Sequence, residues 1–519
     1  MTPPLVGFSA GATGRSPAAT HCLDLLCGLG ARPVQAAGAA GATDRPGPTW
    51  PVESETAALI SIRGAGRRAV SRLRPLRREL VESAAAGLPR GVTDLALGRA
   101  LAAAALAGWM AGRDIDVDPL AVLMQLHLPA VMAASYGSAW WPEPPAPRPA
   151  PGGGWLNADL GAPGDADAFA RLLGTLGPDA TAAAIAAEAQ AWRLPVCHYR
   201  APAPGELPPW RAGPSGRPAG RSAGPAHAPS ASTPPSRAGR PALEGITVCD
   251  LTSMWAGPLA TWLLAQLGAR VIKVEPPSRP DGTRALSGRG IWPGGRTRGG
   301  RGEDSATFNA LNAGKQGMTL DAGEDRARLR NLVDSADLVI DSFAPRVMPQ
   351  LGLDPQSRPA TGAVTLSMPA FPPGPWRHWV AYGNGIHALS GLSGSGGRES
   401  AGAPSVPTSS YPDPLAGLEA AATAVAALAG REAGWRPEPL EVSLAGTVEP
   451  LMTAPPGPWP LAEAAVGPRL LAASRISGAA VARRDGAGVH LYPGGPFREQ
   501  ACGVGAATSP SPASAGVDP

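Results

Sequence analysis

The stretch that decides the fold is residues 243–275, LEGITVCDLTSMWAGPLATWLLAQLGARVIKVE. Its apolar, β-branched run at 246–251 predicts a short buried parallel strand. A turn follows, Pro258 suits the first position of a helix, and Gly268 is a natural end for that helix. Residues 271–275 then predict a second strand. A strand, helix and strand this close together form a right-handed parallel crossover, whose binding crevice lies at the carboxyl end of the first strand.

Length and composition bound the rest of the chain. Its 519 residues suggest two or three domains, and 67 glycines with 61 prolines predict that part of it is low in complexity. The net charge is only +4 and the arginines are scattered, so we do not expect nucleic acid as a partner. The five cysteines are odd in number and form no CxxC pair, which favours neither a disulfide framework nor a metal site.

The sequence also bears on location. Its N-terminus lacks a basic segment followed by an apolar one, so we expect no signal peptide. The apolar stretches 101–110 and 120–134 are separated by charged residues, and neither is long enough to span a bilayer. We therefore expect no membrane association and a cytoplasmic location.

Four segments, in this order, resemble the type III CoA-transferases, the family that includes formyl-CoA transferase, carnitine CoA-transferase and α-methylacyl-CoA racemase. They are 249–284, which overlaps the stretch quoted above, 305–321 (SATFNALNAGKQGMTLD), 336–353 (ADLVIDSFAPRVMPQLGL) and 411–420 (YPDPLAGLEA). The resemblance implies an α/β fold with a Rossmann-like parallel sheet over residues 242–450. It also implies an acyl-CoA and a carboxylic acid as substrates, with coenzyme A carried as the thioester and with neither a metal nor NAD.

Asp413, in the fourth segment, matches the catalytic aspartate of this family. In the family the matching carboxylate attacks the thioester and gives an acyl–aspartyl anhydride and free CoA thiolate. That chemistry needs an ionised carboxylate shielded from water, which would hydrolyse the anhydride. An aspartate between two prolines is also an ordinary turn residue. The three matches upstream favour catalysis.

The resemblance also assigns contacts to CoA. The matching positions are Trp255 and Ala256 in the first turn, Lys315 near the adenine nucleotide, and Ser342, Phe343 and Val347 in a later loop. Ser342 stands where asparagine is usual. Lys315 and Lys273 are the only two lysines of the chain, and Lys273 with Glu275 is either part of the site or a structural salt bridge.

Two positions depart from the pattern of formyl-CoA transferase. Pro276 and Gln350 replace arginines that contact CoA there. Contacts to the phosphates would then pass to Arg279, Arg284 or Arg346. These replacements keep open a second hypothesis, a catalytically inactive paralogue that binds acyl-CoA.

Individual residues also bear on two other enzyme classes, the racemases and the nicotinamide dehydrogenases. Tyr382 stands where the racemases carry a histidine, and His387, one turn away, is the other candidate base, although a lone histidine is usually structural. A racemase needs a base on each face of the α-carbon, so this interpretation is weaker. The first turn reads LTSMWAGP and lacks GxGxxG, which disfavours a nicotinamide dehydrogenase.

The chain is predicted to contain five regions. They are a low-complexity segment at 1–49, a degenerate partial CoA-transferase copy resembling a small α+β domain at 50–205, a disordered linker at 206–241, the Rossmann-like domain at 242–450 and a partly ordered tail at 451–519. LLCGLGARPV at 25–34 matches LLAQLGARVI at 263–272 in six of ten positions, a weak internal repeat. The first third would supply a missing small domain in cis, and a homodimer remains possible.

Overall fold

The computed structural model describes most of the chain, and the structural statements below concern that part. The described residues are 3–13, 16–34, 59–75, 90–136, 146–161, 164–201, 240–284, 305–321, 325–354, 362–393, 402–404, 406–407, 409–435, 438–453, 466–485 and 488–499. The helices α1 to α15 are Pro17–Gly28, Arg90–Ala111, Pro119–Leu126, Leu128–Ser135, Asp165–Thr175, Ala182–Ala191, Ala256–Gln266, Ala306–Asn312, Arg326–Ser335, Val347–Gln350, Gly383–Ser390, Pro412–Glu432, Leu444–Thr447, Glu449–Thr453 and Val466–Ser477. The strands β1 to β17 are Ser9–Thr13, Arg32–Pro33, Leu59–Gly64, Arg67–Arg72, Ile115–Val117, Arg148–Pro149, Trp155–Ala158, Val196–His198, Thr247–Leu251, Arg270–Glu275, Gln316–Thr319, Leu338–Asp341, Val364–Ser367, Leu440–Glu441, Ala480–Asp485, Gly488–Pro493 and Phe497–Glu499.

A six-stranded sheet organises the second half of the chain. Its order is β11-β10-β9-β12-β13-β14, and every neighbouring pair is parallel. This confirms the predicted α/β class and its parallel sheet. The strand order reverses between β9 and β12, so the loops after these two strands bound a crevice at the carboxyl edge of the sheet.

Local sequence explains the predicted crossover, which is observed as β9, α7 and β10. Every residue of α7 from Ala256 to Leu264 is buried, and Leu259, Trp262 and Leu263 lie in the core. Gly268 ends the unit with a φ of 96°, a left-handed conformation that favours glycine. A Cβ at this position would lie 2.3 Å from the Cβ of Pro241, so glycine also permits the close approach of the preceding chain.

Residues 3–34 form a second strand–helix–strand unit, made of β1, α1 and β2, in which the two strands are parallel. Leu5, Phe8 and Leu26 are buried in the same core as α7. The low-complexity segment predicted for 1–49 therefore contains an ordered unit. Alanine and glycine obscure its apolar periodicity in the sequence, but they do not prevent one face from being buried.

Hydrogen bonds recur in the two units at positions 238 residues apart. Leu5 N–H donates to Leu29 O at 2.9 Å, and Leu243 N–H donates to Leu267 O at 2.8 Å. The glycine that follows Leu29 and the one that follows Leu267 have φ angles of 103° and 96°. The ten-residue match seen in the sequence thus extends over the whole unit at a constant offset.

Two long helices, α2 and α12, pack together in the centre, and each packs on the helix of one crossover unit. Gly98 of α2 lies against Ala18, and Gly417 of α12 lies against Ala256. A Cβ on these glycines would lie 2.6 and 2.7 Å from the facing carbonyl oxygens. Glycine at each position allows the helices to approach closely.

Helix α2 is long and apolar enough to cross a membrane, judged by length and composition alone. In this fold 94% of its most apolar window is buried inside the protein. It serves as a core helix.

Residues 146–201, called the small unit below, combine an antiparallel sheet, β6-β7-β8, with α5 and α6. The unit has its own core, which includes Leu156, Phe169, Ile185 and Val196. Its strand and helices agree with the sequence pattern in this region.

The C-terminal part packs on the first third of the chain. Strand β17 pairs antiparallel with β5, and the hairpin β15–β16 lies against α4. Leu491 N–H donates to Ser135 Oγ at 2.7 Å, and the rings of Tyr136 and His490 stack with centroids 3.7 Å apart. Residues 500–519 of the predicted partly ordered tail, and all but residues 240–241 of the predicted linker, lie outside the described residues.

Candidate active site

The crevice lies between the turn after β9 and the loop after β12. Ser253 N–H donates to Ser342 Oγ at 3.1 Å, so the two segments touch. Met254 has a φ of 71°, which strains a residue with a side chain, and its N–H donates to Asp281 Oδ1 at 3.0 Å. Contacts on both sides therefore hold the turn that precedes Trp255.

Asp250 is buried beneath this turn. It accepts hydrogen bonds from the Thr252 N–H at 3.0 Å, Thr261 Oγ1 at 2.6 Å and Lys315 Nζ at 3.1 Å. Burial raises the pKa of the Asp250 carboxyl, but the charges of Lys315 and Lys273 outweigh burial and hold this pKa below its usual value. The carboxylate is thus ionised and fixes the start of α7.

Lys315, for which the sequence predicts a contact with the nucleotide end of CoA, points into this network instead. Its Nζ also donates to Pro258 O and to Asn312 Oδ1, both at 2.9 Å, and its side chain is 1% exposed. Burial lowers the pKa of Lys315 to about 8, although the charge of Asp250 acts in the opposite direction. The ammonium group lies under the crevice rather than inside it.

Lys273 and Glu275 belong to an adjoining network. Lys273 Nζ donates to Asp281 Oδ2 at 2.8 Å, and Arg284 pairs with Glu275 at 2.8 Å. Lys273 pairs with Asp281 and Glu275 pairs with Arg284, so both side chains take part in structural salt bridges. The network orients Asp281, which in turn holds the turn above Asp250.

Ser342, Phe343 and Val347 lie in and just after the loop that follows β12, and each is partly exposed. Phe343 N–H donates to Asp341 Oδ1 at 3.1 Å, and Ser367 Oγ donates to Asp341 Oδ2 at 2.7 Å. Burial raises the pKa of Asp341 to about 6. These bonds fix the loop while leaving part of its side chains accessible.

Asp413 lies in the first turn of α12 and is 8% exposed. Ser410 Oγ and the Gly383 N–H, at the start of α11, both donate to its carboxylate. Burial is the main cause that raises the pKa of Asp413 to about 7. The Ser410 bond opposes this shift and the charge of Asp159 adds to it. Gly417, one turn later on α12, touches Ala256, so Asp413 lies about 5–6 Å along the helix axis from this contact.

The small unit brings residues to this site that the sequence did not reveal as functional. Asp159 accepts from Asn157 Nδ2 at 2.7 Å and from Asn384 Nδ2 of α11 at 3.4 Å. Gln190 forms a pair of bonds with the backbone of Val380, at 2.9 and 2.7 Å. The available signal was the alternation of Asn157 and Asp159 in GWLNADL, which places two polar side chains on one face of a strand.

Tyr382 and His387, the candidates for a second base, differ in their surroundings. Tyr382 precedes α11, and burial is the main cause that raises the pKa of its phenol. His387 is 1% exposed, lies edge-on to Tyr411, and has its pKa lowered by burial to about 3. A histidine that stays neutral inside the core is suited to packing rather than to proton transfer.

The three arginines considered for phosphate binding also differ. Arg284 is engaged by Glu275, and its guanidinium lies 3.6 Å from the centre of the Phe308 ring. Arg279 is exposed and its charge acts on the Tyr382 phenol, while Arg346 is partly exposed beside the loop after β12. Among the described residues, no group of three or more His, Cys, Asp or Glu side chains is placed to hold a metal ion.

A six-stranded parallel sheet with a switch-point crevice places the protein in the α/β class, and comparison with known proteins shows which family it resembles. Residues 243–480 match the model of CoA-transferase family III. The acetyl-CoA:oxalate CoA-transferase of Acetobacter aceti is 33% identical over 154 residues, 29% of this chain and 37% of that protein. The formyl-CoA:oxalate CoA-transferases of Afipia carboxidovorans and Streptomyces avermitilis are 30% and 32% identical, over 40% and 39% of this chain and 47% and 48% of their own length.

The match of residues 243–480 to CoA-transferase family III confirms the resemblance predicted from the sequence. The chain spans less than half the length of these relatives. Solved structures with similarity include Rv3272 from Mycobacterium tuberculosis, with 27% identity, a TM-score of 0.35 and coverage of 40% of this chain and 55% of that one. Another is a CAIB/BAIF family protein from Brucella suis, with 28% identity, the same TM-score and coverage of 40% and 54%.

Proposed function

We propose that this chain transfers CoA between carboxylic acids through an acyl–aspartyl anhydride on Asp413. The observation that carries the proposal is a buried carboxyl with a pKa of about 7, one helical turn from the contact between α12 and Ala256. About half of such groups are ionised near neutral pH, and burial keeps water away from an anhydride. The named relatives act on acetyl-CoA or formyl-CoA and oxalate, so small acyl donors with oxalate as acceptor are the first substrates to test.

In the first step, an oxygen of the Asp413 carboxylate attacks the thioester carbonyl carbon. The carbon–sulfur bond breaks, and its electron pair leaves with sulfur as the CoA thiolate. The second carboxylate then displaces the first acid from the anhydride, and the thiolate attacks the new anhydride to give the product thioester. The Gly383 N–H and Ser410 hydroxyl hold the aspartate in one orientation throughout.

For CoA itself, we assign Trp255, Ala256, Ser342, Phe343 and Val347 as contacts, because both segments border the crevice. Arg279 and Arg346 are the proposed partners of the phosphates, since Arg284 already pairs with a carboxylate. Lys315 supports the site from below by fixing the first turn of α7. We assign the protein to the cytoplasm.

We also propose that residues 3–34 and 90–136 are a diverged copy of the crossover unit and of the α12 region. The shared hydrogen bonds and the paired glycines at 98 and 417 support it. Asp94 precedes Gly98 by four residues, as Asp413 precedes Gly417. In this arrangement the small unit covers the Asp413 site within one chain.

Trapping with hydroxylamine tests the central proposal. Protein incubated with acetyl-CoA or formyl-CoA and hydroxylamine should carry a hydroxamate on the peptide that contains Asp413, detectable by mass spectrometry. The peptide with Asp94 serves as an internal control and should stay unmodified. If Asp413 carries no adduct and no label passes from oxalate to a CoA ester, the inactive acyl-CoA-binding paralogue becomes the better description.

A substitution at Gly383 tests the geometry of the carboxyl. A Cβ at this position would lie 2.2 Å from Asp413 Oδ2 and 2.0 Å from Ser410 Oγ. Gly383→Ala should therefore displace the carboxyl and lower kcat by about 10²-fold, because small displacements in a reacting pair have effects of that size. It should also lower the free energy of unfolding by about 1–3 kcal/mol through overpacking.

The matched control is Gly174→Ala in α5, where a Cβ meets no atom within 4 Å. It should leave kcat unchanged and not destabilise the protein, since alanine favours a helix over glycine. Equal kcat values for the two variants would show that the contact between Gly383 and Asp413 does not matter for the reaction.

A further inference from the structure

The start of α11 receives two carboxylates from distant parts of the chain. The Gly383 N–H donates to Asp413, whereas Asn384 Nδ2 and the Gly385 N–H donate to Asp159 of the small unit. The two acids thus contact consecutive residues of one helical turn. Each is buried, and burial raises the pKa of Asp159 to about 6, as it raises that of Asp413 to about 7.

The small unit is held on α11 by several contacts in addition to Asp159. Gln190 bonds to the backbone of Val380, and Arg200 N–H donates to Ala388 O at 3.0 Å. A Cβ on Gly385 would lie 2.9 Å from Cys197 Sγ, so the unit packs closely on this helix. The position of Asp159 is therefore fixed relative to Asp413.

The surroundings of the pair offer donors but no facing cation. The groups that interact with Asp413 are the Ser410 hydroxyl, the Gly383 N–H and the Tyr382 phenol. Those that interact with Asp159 are Asn157, Asn384, the Gly385 N–H, Cys197, Tyr199 and the same phenol. The Cys197 thiol and the phenols of Tyr199 and Tyr382 have raised pKa values and are neutral. His387 and His127, which contact the Tyr411 ring, have pKa values of about 3 and are also neutral near pH 7. Arg279 acts on Tyr382, but within the described part of the chain no lysine or arginine contacts either carboxylate.

Two like charges held close together in a dry site repel each other. Acylation removes this repulsion, because the charge leaves Asp413 with the CoA thiolate when the carbon–sulfur bond breaks and the carbon–oxygen bond forms. A fixed neighbouring carboxylate therefore makes the ionised aspartate less stable and its acylated form relatively more stable.

We propose that Asp159 is a positioning residue of the acyl-transfer site, which fastens the small unit to α11 and through its charge sets the pH above which Asp413 is a nucleophile. The activity part of this inference rests on the function proposed above. Its electrostatic part concerns the folded protein alone and can be measured without any substrate.

Asp159→Asn is the test variant. The side chain fits, because Asn157 Oδ1 has no hydrogen-bond partner in the described part of the chain and a rotated Asn157 amide can accept from the new amide. We expect the acidic limb of the pH profile of kcat/KM to move down by about one pH unit. The plateau rate should fall by about three- to tenfold, since a less basic carboxylate is a weaker nucleophile. Asp179→Asn, an exposed change of the same charge in the small unit, should behave like the wild type.

Stability supplies the readout that does not need activity. A carboxyl whose pKa is raised on folding binds more protons in the folded than in the unfolded state, so its contribution to stability is lost as pH rises from about 4 to its folded pKa. Asp159 and Asp413 each lower the urea midpoint through this window, up to about pH 7, as does Asp341, whereas the buried His127 and His387, with pKa values of about 3, raise it. The readout is therefore the urea midpoint of Asp159→Asn relative to that of the wild type, in which the contributions of Asp341 and the histidines cancel. This difference should rise from about pH 4 to about pH 7, since one acid is gone and the pKa of the other is lower.

The outcomes separate the two proposals. A urea midpoint with the same pH dependence in the wild type and in Asp159→Asn, or a difference that stops growing at about pH 6, where the titration of Asp159 itself ends, would overturn the inference even if acyl transfer is confirmed. A difference that keeps growing from about pH 6 to pH 7, in a protein without acyl transfer, would support the coupling and overturn the proposed function. If Asp159→Asn does not fold, Asp413→Asn gives the same measurement, because coupling is mutual and the titration of Asp159 should then end at a lower pH.

Discussion

Asp413→Asn should lower the rate of acyl transfer from acyl-CoA to a carboxylic acid by about 10⁴-fold or more. An amide oxygen does not form the anhydride, so the variant loses the covalent route entirely rather than in part. The amide has nearly the shape of the carboxyl and its oxygen can still accept from the Gly383 N–H, so the fold should persist. The rate is measured as the transfer of label from oxalate into a CoA ester.

The chain offers its own control for this experiment. Asp94→Asn changes an aspartate that precedes a helix-contact glycine by four residues, as Asp413 does, on the central helix of the first third. We expect its rate to stay within about twofold of the wild type, because effects that do not involve the reacting groups are small. A rate in Asp413→Asn above about one tenth of the wild type would contradict the anhydride route.

The sequence predicts the parallel sheet well, because the signals for it are local. The β-branched run before Leu251, the apolar face of α7 and the glycine at 268 all lie within one crossover unit. A local pattern also predicts the turn after β9, and the family resemblance points to Asp413. None of these inferences requires knowledge of which distant segments meet.

The sequence does not predict contacts between distant segments. Lys315 meets Asp250 across 65 residues, and the resemblance gave no sign that its ammonium group is buried. Asp159 meets Asn384 across 225 residues, and one residue pair in GWLNADL is too weak a signal to indicate a partner. The strand–helix–strand unit within residues 3–34 is hard to recognise in the sequence for another reason. Alanine occupies both buried and exposed positions, so the apolar periodicity of α1 is weak.

Lys315 is the residue for which sequence and structure lead to different experiments. If Lys315 contacts the ligand, Lys315→Met should raise KM for acyl-CoA and leave the free energy of unfolding unchanged. As the buried partner of Asp250, its loss leaves a carboxylate without its ion-pair partner inside the protein. The structure therefore predicts a loss of about 3–5 kcal/mol in the free energy of unfolding, as expected when one member of a buried ion pair is removed.

The double variant Asp250→Asn/Lys315→Met distinguishes the two roles most sharply. It removes the unpaired charge together with its partner, so it should unfold at a higher urea concentration than Lys315→Met alone. Thr252 and Thr261 can still contact an asparagine, which has the same shape as the carboxylate. If Lys315→Met has wild-type stability and the double variant is less stable than either single variant, the ammonium group acts on a ligand. Stability recovered in the double variant would instead show that Lys315 keeps the first turn of α7 in place by neutralising the charge below it.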